Sequence, residues 1–166
     1  MAALAGMARA EGLAMVHVKP HGALSNMACV DANLADTVAT AIRAFDASLI
    51  LLAPACSALA DAGRRAGLRV VEEIFADRAY QDDGSLVPRS RPDALIHGAA
   101  ASLAHVLAML EAGALISLNG THRPTPIGSI CVHGDGPEAV ATARALRAGL
   151  LERGYRLAGL EAIAAD

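Results

Sequence analysis

Apolar and polar positions follow two rhythms along this chain. Leu34, Val38, Ile42 and Phe45 recur at helical spacing on one face, and Asp31 just ahead is a residue type whose carboxylate caps a first turn. Ser48 to Ala53, with Leu49, Ile50, Leu51 and Leu52 at its centre, is apolar on both faces, as a central parallel strand is and a half-exposed antiparallel strand is not. Pro54 stops it. A helix from about Ser57 to Ala66 follows, with Gly67 supplying left-handed backbone at its end, and then a strand from Leu68 to Phe75. Further helices are predicted over Ala2 to Gly12 and about Ala99 to Ala112. Another begins at Pro137 as first helical residue, carries Val140, Ala143, Leu146 and Leu150, and is closed by Gly154. Ala14 to Val18 reads as a short buried strand. Ala114 to Leu118 and Gly128 to Val132 read as two more, expected to pair as a hairpin across the turn-rich Asn119 to Ile127. The stretch between the first strand and Asp31 reads as turn-rich, and Asp77 to Asp93 has no clear period and reads as a long loop, hence a place for binding.

Strands alternating with helices predict an α/β fold with mainly parallel strands and right-handed crossovers, and 166 residues suit one domain, 1–166. In such folds ligands sit beyond the C-terminal ends of strands. The polar residues placed there are Lys19 and His21, Asp77 and Arg78, and His133 and Asp135.

Composition removes several function classes. Fourteen Lys and Arg against seventeen Asp and Glu leave a formal charge of −3, which speaks against nucleic acid, whose binders present a basic face. Mean hydropathy is +0.40, but no apolar run approaches the roughly 20 residues that span a bilayer. Arg9 and Glu11 interrupt the N-terminal segment where a secretory signal would need an apolar core. A cytoplasmic protein without a membrane partner is expected. Cys29, Cys56 and Cys131 are odd in number and widely spaced, matching neither a disulfide framework nor a CxxC site. With 2% aromatic residues and no Trp, any ligand is held by polar contacts.

Three segments carry the chemistry. His17 to Asn26 sets a cation, an imidazole and an amide directly after a strand; His21 is a candidate general base or metal ligand, and Lys19 a holder of carboxylate or phosphate, against the plainer reading of a surface turn. Ser129 to Pro137 delivers His133 and Asp135 to a strand mouth immediately before a helix, whose N-terminal amides also offer themselves to an anion. Asp135 reads almost as well as a helix cap. In the long loop, Arg78 or Arg89 is a candidate fork for a substrate carboxylate, unless the loop's opposite charges simply pair with each other. His97, His105 and His122 lack partners in sequence and receive no role. No GxxxxGK[ST] loop occurs, so a nucleotide, if used, is not held by a Walker loop.

Three blocks together resemble the LamB/YcsF family, the proteins that form the A subunit of 5-oxoprolinase: Val18 to Leu24 (Val-Lys-Pro-His-Gly-Ala-Leu); Phe75 to Tyr80 with Asp82 to Arg89; and Ile130 to Asp135. The resemblance runs from about Ala2 to Leu160. It implies an incomplete, distorted (β/α) barrel of the glycoside hydrolase/deacetylase type, a fold tied to carbohydrate metabolism. It further implies a hydrolase role in the ATP-dependent opening of the lactam 5-oxo-L-proline to L-glutamate, with 5-oxoprolinase subunits B and C as partners. ATP-derived phosphorylation of the lactam oxygen would expose the ring carbon to water. On this resemblance His133, Asp135 and His21 are the catalytic candidates, Lys19, Asn26, Arg78 and Arg89 contact substrate, and no metal is assigned. The acidic strand-end segment with which family members begin does not occur, Ser25 replaces a usual Tyr and Gly136 a usual Thr. The chain is therefore expected to correspond to the C-terminal two-thirds of such a protein. Two other readings stand beside this one: a metal-dependent amide or carbohydrate hydrolase with His21, His133 and Asp135 as ligands, and a truncated, non-catalytic remnant prone to self-association.

Overall fold

In the computed structural model, which describes residues 1–164, the backbone gathers into two units, Met1–Val71 with the residues from Gly159 onward, and Glu72–Ala158. In the first unit the alanine-rich start forms α1 (Ala2–Ala10), and β1 (His17–Val18) is shorter than predicted. The stretch read as turns contains a helix, α2 (Ala23–Val30), opened by Gly22 at φ 65°. Asp31 caps α3 (Ala32–Phe45), its carboxylate accepting from the Asn33 and Leu34 amides at 2.9 and 3.1 Å. β2 (Ile50–Pro54) lies parallel to β1, with His17 opposite Ile50. Ser57 caps α4 (Ala58–Arg65). Leu51 and Ala53 of β2 pack with Ala35, Ala39 and Ile42 of α3 and Leu59 of α4. Gly63 lets α4 approach closely, since a Cβ there would lie 2.6 Å from Leu51 Cδ2 and 2.8 Å from Val70 Cγ2.

β3 (Arg69–Phe75) begins in the first unit and continues into the second. There follow α5 (Ala99–Ala112), ended by Gly113 in left-handed backbone, then β4 (Ala114–Ile116), β5 (His122–Pro124), β6 (Ile127–Cys131) and α6 (Ala139–Glu152). The expected hairpin between β4 and the Gly128 to Val132 strand does not form. β4 pairs antiparallel with β5, within the stretch read as a turn, and β6 pairs parallel with β3, Phe75 opposite Cys131. The central strand offers β6 a buried parallel ladder that a local hairpin would forgo. The Asp77 to Asp93 loop is not structureless: bridges join Arg78 to Leu95 and Tyr80 to Leu86, and Ala79, Val87 and Ala94 bury a small core of their own. Its apolar residues are too sparse to show a period, but they suffice to fix it. α6 starts two residues after Pro137, with Glu138 at the cap. The chain returns to the first unit as α7 (Leu160–Ile163), whose apolar residues pack with Ile50, Leu52 and Val71. β2 is thus covered on both faces, which is why its run has no polar alternation. The fold is α/β with mostly parallel pairing, and no barrel closes among the described residues. No helix among them is long and apolar enough to cross a membrane.

Candidate functional site

The second unit assembles a site from the ends of two neighbouring strands. Parallel pairing of β3 with β6 carries on one step further, the Ala76 amide donating to the Cys131 carbonyl at 2.9 Å. That register sets Asp77 and His133, 56 residues apart in the chain, side by side. The His133 Nδ1–H donates to the Asp77 carboxylate, at 2.7 Å from Oδ2 and 2.9 Å from Oδ1. The Phe75 ring stacks on the imidazole, centroids 5.7 Å apart and planes 15° apart. Both side chains of the dyad are about a quarter exposed. A carboxylate on Nδ1 fixes the tautomer, so Nε2 is the nitrogen left for a proton transfer.

Asp77 and His133 line a pocket of about 340 Å³ together with Asp135 and Arg89. The Arg89 Nη1 stands 4.0 Å from the Asp135 Oδ2, both side chains more than half exposed, so this pair is a loose one. Asp135 does not cap α6, whose start has no side-chain cap at all. His97 and the first turns of α5 and α6 complete the wall.

Arg78 stands apart from this wall. It is 6% exposed, and its Nη2 donates to the Val87 carbonyl at 2.8 Å, bracing the loop from inside. Burial first, and the Arg89 charge next, lower its pKa from the usual guanidinium value. His105, given no role from the sequence, donates from Nε2 to the Arg78 carbonyl at 3.1 Å and stacks on Tyr80; burial lowers its pKa. The Tyr80 hydroxyl accepts from the Phe75 amide at 2.6 Å, and burial drives the phenol's pKa far upward. These contacts hold the backbone on either side of Asp77.

Lys19, His21 and Asn26 belong to the first unit. Lys19 is half-buried after β1, His21 is exposed just before α2, and Asn26 is exposed on α2. Among the described residues no group of three or more His, Cys, Asp or Glu is arranged to hold a metal ion. Sequence reasoning places Asp77 among the loop charges and at a strand end without a role; its partner is fixed only by the β3 to β6 register. Sequence reasoning also gives no role to Glu72 and Glu73. Both are buried on β3, Glu72 accepting from the Thr125 hydroxyl at 2.6 Å and Glu73 from the Ser129 hydroxyl at 3.1 Å. Two adjacent acids within an apolar strand are the signal that could have found them.

Comparison with known proteins agrees with this architecture. The model of the LamB/YcsF family matches residues 1–165. The A subunit of 5-oxoprolinase from Azoarcus sp. (strain BH72) is 56% identical over 160 residues, 96% of this chain and 62% of that protein. Its counterpart of the same name from Methylococcus capsulatus is 52% identical over 158 residues, 95% of this chain and 61% of that protein. A crystal structure of the lactam utilization protein from Thermus thermophilus superposes with a TM-score of 0.82 at 38% identity, covering 94% of this chain and 62% of that one. The chain thus spans less than two thirds of the length of the relatives it matches.

Proposed function

The chain belongs to the LamB/YcsF family, and on that premise we propose that it acts as the A subunit of 5-oxoprolinase: a hydrolase that opens 5-oxo-L-proline to L-glutamate at the expense of ATP, together with subunits B and C. The observation that carries the reading is the Asp77 and His133 dyad, held at the ends of paired parallel strands and walled into a pocket with Asp135 and Arg89. A neutral imidazole with Nδ1–H on a carboxylate is a general base at Nε2. Water gives a proton to that nitrogen as its oxygen bonds to the ring carbonyl carbon. The ring C–N bond then breaks, and the imidazolium returns the proton to the departing nitrogen. Asp135 is the second polar group at the water, and Arg89 faces the substrate carboxylate. The family resemblance assigns Lys19, His21 and Asn26 to the reaction as well, while Arg78 supports the loop. ATP is assigned by the family resemblance to the whole complex, and no step on these residues is routed through it.

The test is glutamate formation from 5-oxo-L-proline by the complex reconstituted with its partner subunits. His133→Ala is expected to lower kcat by about two to four orders of magnitude. An unchanged rate would remove the imidazole, and with it this mechanism.

A further inference from the structure

The 340 Å³ pocket has a second polar wall, made by the starts of two helices. Gly98 and Glu138 stand at the N-cap positions of α5 and α6, and no side chain caps either helix. First-turn amides have no partner inside their own helix, and the macrodipole adds partial positive charge there. The first turn of α5 carries no acid. Independently, Ser102 and Thr142, each one turn into its helix, line this pocket while only 1% and 6% exposed. Their hydrogen bonds run through the backbone, each amide donating to the Gly98 or Glu138 carbonyl at 3.0 and 2.8 Å. The two hydroxyls bond to none of the described residues. Neither hydroxyl is among the described buried atoms left without a partner, so each reaches the space of the pocket, where it can donate to a ligand's acceptor. Gly149 brings the two helices together, since a Cβ there would fall 2.6 Å from Leu103 Cδ2. Of the acids on the rim, Asp77 is engaged by His133, Asp135 faces Arg89, and Glu138 is exposed.

We infer that this wall is an oxyanion subsite, in which the Ser102 and Thr142 hydroxyls donate to a carboxylate or phosphoryl oxygen beside the helix starts while Arg89 stands at the rim. It deepens the reading above, because the ring substrate's carboxylate and a phosphoryl group share this acceptor chemistry. Hydroxyls that donate here would turn the substrate's other end towards His133.

The test is a titration of the ¹⁵N-labelled full chain at constant ionic strength, with sodium 5-oxoprolinate in one arm, inorganic phosphate in another and sodium chloride as control. Saturable shifts of the Gly98, Ser102 and Thr142 amides are expected, and Ser102→Ala and Thr142→Val should each weaken binding about tenfold. Ser102→Ala puts the best helix former into α5, so its fold is retained. The tighter-binding arm identifies the source of the oxyanion. Shifts no larger than the chloride control, or variants that bind like the unaltered chain, would overturn the subsite. The readout needs no turnover, so its failure is separable from an unchanged rate in His133→Ala.

Discussion

Replacing Asp77 by Asn isolates what the carboxylate does for His133. The side chain keeps its size and an acceptor oxygen, but loses the charge that would face the imidazolium in the proposed reaction. A hydrogen bond to a charged group contributes about 1.5–3 kcal/mol. Both partners are a quarter exposed, so solvent screening reduces that to about 1–2 kcal/mol. At 1.36 kcal/mol per tenfold, kcat should fall by about 5- to 30-fold from charge alone. The Asn amide can also turn its NH₂ towards Nδ1 and favour the wrong tautomer, which deepens the loss. The assay is glutamate formation by the reconstituted complex, with kcat and KM separated, for Asp77→Asn, His133→Ala and the double variant. If Asp77 acts through His133, the Asn substitution costs nothing further once the imidazole is gone. Full activity of Asp77→Asn, or an equal loss in the His133→Ala background, would refute the reasoning.

Three further outcomes follow from the packing. Gly63→Ala gains about 1 kcal/mol of helix propensity, but its methyl would stand under 3 Å from buried Leu51 and from Val70. Overpacking at about 1–3 kcal/mol decides the sign, so thermal denaturation should shift downward, and a higher Tm would contradict the close approach of α4. Ser57→Ala removes the cap that accepts from the Ala60 amide at 3.2 Å and donates to the Pro54 carbonyl at 2.6 Å; a loss of about 1 kcal/mol in urea unfolding is expected, and no change would deny the cap its role. Burial lowers the His105 pKa, so between that folded value and the unfolded value of about 6.5 the unfolded chain binds the extra proton. The stability that His105 contributes is therefore present above about pH 6.5 and lost as pH falls through that window. His105→Gln should flatten this part of the pH dependence, and an identical curve would show that the ring is not buried neutral.

Much of the fold was readable from the order of residues, because local chemistry acts over short distances. The apolar face of α3 and the carboxylate of Asp31 at its start specify a capped helix wherever that segment lies. The unbroken run at Leu49 to Leu52 demanded burial on both sides, which β2 receives. The motifs at Val18 to Leu24, Phe75 to Arg89 and Ile130 to Asp135 sufficed for the family. Pairing partners were another matter, since a strand's sequence states that it will be buried without stating against what. The β3 to β6 ladder, and not the local hairpin, decided that His133 meets Asp77. Only the folded chain shows that Arg78 is an internal brace, and that Ser102 and Thr142, unremarkable in their own helices, open onto a common pocket. Distances of 2.7 Å between residues 56 apart arise from register and helix packing, which depend on the whole set of long-range contacts and leave no mark on either residue's neighbours in sequence.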